Sequence, residues 1–204
     1  MAVAQPIVSG TLAAPLHLYL IRHGETEWSL ASKHTSRTDI ALNAQGEEGA
    51  RRLGQKLRAA EFNRVFSSPS QRARSTCTLA GLMPVAEIEP DLAEWNYGDY
   101  EGQRSVDIQK GRPQWNMFQD GCPQGEMPAQ VCDRADVLIA RLRKLDGNIA
   151  LFTHGQFGSV LAVRWIGLPV MTAQHFPLGT ASVSILGYSR NHPELPVIAS
   201  LSER

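Results

Sequence analysis

The sequence has no excess of charge of either sign: twenty Lys and Arg stand against twenty Asp and Glu, for a formal net charge of zero. A polyanion-coating protein carries a basic surplus, so no nucleic-acid partner is expected. A small anionic ligand stays open, because one site needs only a few local cations. Long apolar runs are also missing. None reaches the roughly 18 residues that span a bilayer, so no membrane partner is expected. The segment Met1–Pro15 has no basic cluster ahead of an apolar stretch, which speaks against a secretory signal and for a cytoplasmic address. Cysteine is scarce, with Cys77, Cys122 and Cys132 alone. Their odd number and the lack of C-x-x-C spacing argue against a disulfide framework and a zinc ribbon. They read as ordinary core or surface residues of a reducing compartment.

What is present is apolar content for a sizeable core: 43% of the 204 residues are hydrophobic. The length fits one large domain, expected over 15–204 behind a flexible extension at 1–14. His17–Ile21 is a short apolar run rich in strand formers and stopped by Arg22-His23-Gly24. A long polar loop follows, from Glu25 to Leu42. Gly46, Ala50, Leu53 and Leu57 then recur at helical spacing. Val65-Phe66 is a second strand candidate, and Ser67-Ser68-Pro69-Ser70 reads as a cap-and-proline start for a helix ending near Gly81. The stretch from about 90 to 127 is rich in Trp, Tyr, Gly and charge. It reads as an insertion of loops and short helices over the strand C-terminal ends, with Trp95, Trp115 and Phe118 as a satellite core beneath it. Helices are expected over about 129–145 and 157–166, and strands at Asn148–Phe152 and Thr180–Leu186. No heptad or apolar stripe sets an oligomeric state, so a homo-oligomer stays open. Strands alternating with helices make an α/β class, a three-layer α/β/α arrangement around a mainly parallel central sheet.

In such sheets, ligands bind beyond the carboxyl ends of the strands. Two strand candidates end there in His-Gly, at His23-Gly24 and His154-Gly155. A phosphate ester needs a nucleophile, cationic donors for its oxygens and a proton for its leaving group. His23 can supply the nucleophile, since a neutral imidazole nitrogen attacks phosphorus near neutral pH. Arg22 and Arg72 offer guanidinium forks that match phosphate oxygens. His154, when protonated, is a further donor, just before a helix whose N-terminal amides favour an anion. Glu94 is the candidate acid, set among aromatic residues where desolvation favours a protonated carboxyl. Asp99 and Glu101 lie near enough in sequence to share that role.

The segment Leu20-Ile21-Arg22-His23-Gly24-Glu25-Thr26-Glu27-Trp28 resembles the R-H-G signature of the histidine phosphatase superfamily. Ser67–Thr76, Glu94–Gly98 and Phe152–Gly155 are similar, in order, to its elements for the second arginine, the acid and the second histidine. The resemblance implies a phosphohistidine at His23, oxygens held by Arg22, Arg72 and His154, and proton transfer by Glu94. It implies no metal and no cofactor, and a small phosphorylated metabolite as substrate. His34–Asp39, Glu94–Gly102 and Trp115–Glu126 resemble the sedoheptulose-bisphosphatase branch, which points to a sugar bisphosphate such as sedoheptulose 1,7-bisphosphate. By the same carry-over, Ser29, Thr35, Ser36, Tyr97 and Gln156 line the pocket. A phosphoglycerate mutase and a non-catalytic phospho-ligand module are the alternatives. Ser29 departs from the asparagine common in the mutases, and the chain is short where mutases shield the intermediate from water.

Overall fold

The computed structural model describes residues 14–203, so the expected extension at 1–14 lies, but for Ala14, outside the described residues. The elements run β1 (His17–Arg22), α1 (Glu27–Leu30), α2 (Ala44–Leu57), β2 (Arg64–Ser67), α3 (Gln71–Leu79) and β3 (Ala86–Ile88). They continue with α4 (Ser105–Gly111), α5 (Met117–Asp120), α6 (Pro128–Leu142), β4 (Asn148–Thr153), α7 (Gly155–Trp165), β5 (Val183–Tyr188) and β6 (Pro196–Glu203). The six strands form one sheet in the order β3-β2-β4-β1-β5-β6. The first four are parallel neighbours, and β5 and β6 run antiparallel at one side.

Alternation along the central strands explains the three layers. Leu18 and Leu20 of β1 and Ile149 and Leu151 of β4 face the same side, where they pack with Val131, Leu138 and Leu142 of α6 and with Val160 and Leu161 of α7. The intervening Ile21, Ala150 and Phe152 face the other side and pack with Leu53 and Leu57 of α2 and Cys77 of α3. Each such side chain contributes about 1.5–3 kcal/mol by leaving water, so both faces must be covered. Burial pushes the Cys77 thiol up to about 12, which makes it an unreactive core group. All three thiols are free.

The segment after β3 is less regular. Trp95, Trp115 and Phe118 are buried there, but they belong to the main core cluster with α6 and α7 rather than to a separate satellite. Trp95 meets Phe118 edge to face at 5.7 Å, and its indole N–H donates to the Glu126 carbonyl at 2.9 Å. No helix among the described residues is long and apolar enough to cross a membrane.

The start of α3 differs from its sequence reading. Ser70 occupies the cap position, but its side chain makes no capping bond. The Gln71 amide instead donates to Asp39 Oδ1 at 2.8 Å, so the helix is capped from the loop 32 residues upstream. Ser70 Oγ lies 3.4 Å from His154 Nε2. The serine is thus drawn toward the strand ends, and its capping role passes to an aspartate.

Candidate active site

The register of the parallel strands brings the site together. Arg22 of β1 pairs with Thr153 of β4, so the residues that follow, His23 and His154, emerge side by side. Their rings lie 5.2 Å apart between centroids, at 67°. Ser67 of β2 pairs with Phe152 of β4, which sets Ser68 beside His154 on the same rim.

His23 is 5% exposed, and its Nδ1 lies 2.7 Å from the Gly24 carbonyl oxygen. A carbonyl only accepts, so Nδ1 carries the proton and donates it. Burial, with the Arg72 and Arg22 guanidinia close by, holds the ring well below the usual imidazole range. A neutral ring protonated at Nδ1 leaves the lone pair on Nε2.

His154 is arranged the other way round. Its Nε2 lies 2.8 Å from Ser68 Oγ, and its Nδ1 is buried with no hydrogen-bond partner among the described residues. Burial, Arg72 and His23 hold this ring well below the usual range as well. Sequence reading made His154 a donor when protonated; desolvation and neighbouring positive charge disfavour that cation here.

The two arginines are held differently. Arg22 donates to the Leu178 carbonyl from one terminal nitrogen. Its guanidinium lies against Gly155, where an added Cβ would stand 3.2 Å from Arg22 Cζ. Arg72 is fully buried and donates through its terminal nitrogens to the carbonyls of Thr35, Ser36 and Thr38, at 3.0, 3.3 and 3.3 Å. Its Nε is buried and has no hydrogen-bond partner among the described residues. Glu101 grips the same loop from the amide side, its Oε1 accepting from Ser36 and Thr38 at 2.8 and 3.1 Å. This places Glu101 as a loop clamp, while Asp99 is exposed.

Glu94 is 9% exposed. Oε1 accepts from the Trp95 and Phe157 amides at 2.9 and 2.7 Å, and Oε2 from the Gln156 amide at 3.1 Å. The expected surround of aromatic rings is instead a surround of backbone donors, two of them from the first turn of α7. Arg134 of α6 fixes the segment from behind, donating to the Asp91 and Ala93 carbonyls at 2.9 and 2.8 Å and pairing with Glu126 at 2.9 Å.

A cleft of about 350 Å³ opens over these groups, lined by Arg22, His23 and Glu94. Ser29, Thr35, Tyr97 and Gln156, expected from sequence, line it too. Ser36 does not. It borders a neighbouring cavity of about 310 Å³ that is shared with Glu94 and His154, and its backbone binds Arg72 and Glu101. Ser29 is the third residue of the α1 cap, its Oγ accepting from the Thr26 amide at 2.9 Å. Tyr97 stacks on His34 at 4.5 Å.

Sequence reading missed Ser68, Arg134 and His34, and it weighed Glu101 as an acid rather than as the loop clamp that its hydrogen bonds make it. Ser68 and His34 lay inside segments that carried the resemblance, but nothing local marks a serine that meets a histidine 86 residues away. Among the described residues no three His, Cys, Asp or Glu side chains group as a metal ion would need.

Two buried neutral imidazoles with opposite free nitrogens, beside two guanidinia, can bind and attack a tetrahedral oxyanion. A family model described as Histidine phosphatase superfamily (branch 1) matches residues 18–200. An acid phosphatase of Mycobacterium tuberculosis is 40% identical over 185 residues, covering 89% of this chain and 91% of that protein. The sedoheptulose 1,7-bisphosphatase of Saccharomyces cerevisiae is 34% identical over 185 residues, covering 74% and 68%. A solved structure of a Mycobacterium tuberculosis open reading frame superimposes with a TM-score of 0.83 at 36% identity, covering 93% of this chain and 99% of that one. The chain belongs to the histidine phosphatase superfamily, and it is a phosphatase, a phosphoric monoester hydrolase.

Proposed function

We propose that the chain hydrolyses a small phosphorylated metabolite through a phosphohistidine on His23 Nε2. One observation carries this reading: the Gly24 carbonyl holds the His23 proton on Nδ1, in a ring kept neutral by burial and two guanidinia. The Nε2 lone pair attacks phosphorus, and the bond from phosphorus to the ester oxygen breaks. Glu94 gives its proton to the departing alkoxide. Water then attacks the phosphohistidine, loses its proton to Glu94, and displaces His23 as orthophosphate forms. Arg22, Arg72 Nε and His154 Nδ1 stabilise the oxygens as charge shifts. In that role Ser68 accepts from the Ser70 amide, at 3.4 Å, and donates its own proton to His154 Nε2. The neutral ring then presents Nδ1–H to the phosphoryl group.

Sugar phosphates are the proposed substrate class, bound by Ser29, Thr35, Tyr97 and Gln156. The narrower reading, a sugar bisphosphate, draws on the likeness to the yeast bisphosphatase. Lys33 is the other Lys or Arg that lines the cleft beside Arg22. A cytoplasmic setting is proposed from the three free thiols.

The test is phosphate release, with chelator present, from sedoheptulose 1,7-bisphosphate, fructose phosphates and 3-phosphoglycerate, beside His23→Ala. Release lost in the variant is expected, together with an acid-labile phosphoenzyme in the wild type. Full activity in His23→Ala would sink the assigned nucleophile. Interconversion of 3- and 2-phosphoglycerate that outpaces hydrolysis would move the reading to a mutase.

A further inference from the structure

The cleft does not end at Gln156. A second lobe of about 220 Å³ continues from it, sharing His34, Ser105 and Gln156 as a common throat. Beyond the throat the lobe is lined by Gln109, Trp115, Asn116 and Gln174, with Met117 and Phe118 behind them. None of its lining side chains is a Lys, Arg, Asp or Glu.

The polar groups are of one kind. Gln109 donates through Nε2 to the Trp115 carbonyl at 3.1 Å, which fixes the carboxamide and leaves its oxygen available. Asn116 donates to Gln174 Oε1 at 2.9 Å, so two carboxamides are locked edge to edge across the lobe. Gln156 is bound only through its backbone, whose amide holds Glu94, and its side chain makes no hydrogen bond among the described residues. The throat histidine, His34, is wedged against Tyr97 and Trp115, and burial lowers it to about 4, so it adds no charge near neutral pH.

We infer that this lobe seats the leaving group of the substrate, and that the leaving group is an uncharged, polyhydroxylated carbon chain. Asn116 also accepts from the Phe118 amide at 2.9 Å, so the groups on offer are the Gln109 oxygen and the Gln156 carboxamide, neutral acceptors and donors of the kind a row of hydroxyls requires. A phosphate dianion there would meet no cation among the lining side chains, whereas hydroxyls would find neutral partners of their own kind. A second phosphate would have to stay near Lys33, outside the lobe. The inference rests on the His23 reading and sharpens it toward sugar monophosphates.

The test compares kcat/KM of the full chain for fructose 6-phosphate and fructose 1,6-bisphosphate, with p-nitrophenyl phosphate as the reference ester. The monophosphate is expected to lead by about tenfold, the worth of one or two hydrogen bonds. Gln174→Lys, at an exposed position where folding tolerates the change, brings a cation to the lobe. It should shift the ratio about tenfold toward the bisphosphate, through KM rather than kcat. A wild type that prefers the bisphosphate, or a ratio that Gln174→Lys leaves untouched, would overturn the lobe assignment. Failure of the wild type to turn over p-nitrophenyl phosphate would overturn the His23 reading beneath it.

Discussion

The two His-Gly corners share a dipeptide, a rim and a neutral ring, yet they are wired in opposite senses. At His23 a backbone carbonyl takes the Nδ1 proton and leaves Nε2 as a lone pair. At His154 a serine hydroxyl meets Nε2 and leaves Nδ1 without a partner among the described residues. The glycines differ as well. An added Cβ at Gly24 would stand 2.4 Å from the Gly46 carbonyl oxygen, so that glycine admits the start of α2. Gly155 makes room for the Arg22 guanidinium instead. The lesson is that the residue type fixes what each corner can do, and the hydrogen bond on the far nitrogen decides which of those things it does.

The strongest way to break this comparison is to remove each ring in turn. His23→Ala should lower kcat by about 10⁴-fold or more, as loss of a nucleophile does. His154→Ala should cost about 10²–10³-fold, the scale of a lost oxyanion donor, and should still form phosphoenzyme. Rapid-quench trapping on p-nitrophenyl phosphate reads both; equal losses would erase the division of labour.

Next in size is the response to acid. His23, His154 and His34 are all lowered in the folded state, so below the ordinary value near 6.5 the unfolded chain binds more protons than the native one. Their contribution to stability is present in full above that value and is lost as pH falls. For His34, lowered to about 4, the loss is on the order of 3 kcal/mol between pH 6.5 and 4. Urea midpoints against pH should fall through that window, and His34→Phe should flatten the slope. For the same reason the His23 nucleophile stays unprotonated below the usual imidazole range.

A smaller effect sharpens the wiring itself. Ser68→Ala should reduce kcat about tenfold by releasing the His154 tautomer, while Ser68→Thr restores most of it. A structural role alone would move the melting temperature in step with kcat, and that pattern would reject the tautomer role. Least of all, Gly155→Ala pushes the Arg22 guanidinium by a few tenths of an ångström, since its Cβ would meet Cζ at 3.2 Å. A KM increase of about two- to fivefold with kcat nearly kept is expected, under 1 kcal/mol of binding.

Much of this site was legible in the chain. Leu18, Leu20, Ile149 and Leu151 form apolar runs that stop abruptly at charge and glycine, and such runs mark central parallel strands whatever else surrounds them. The edges were not legible. β3 is three residues long, and β6 is half exposed along its length, so neither carries a strong apolar signal. Arg134, and the clamp role of Glu101, escaped for another reason. Their work is to hold other residues' backbone, and backbone carbonyls and amides leave no trace in side-chain pattern. Ser36 was expected with the cleft residues and lines the neighbouring cavity with Glu94 and His154, while its main chain binds Arg72 and Glu101.

Arg72 joins two events that are usually described apart. Its terminal nitrogens bind three carbonyls of the 35–38 segment, and its Nε, which has no partner among the described residues, is the atom proposed to meet the phosphoryl group. An anion on Nε and order in that segment therefore share one guanidinium, and each must favour the other to the same degree, as thermodynamic reciprocity requires. On that proposal, orthophosphate, the product, would also tighten the wall of its own cleft. Its departure and the loosening of that wall are two views of a single equilibrium.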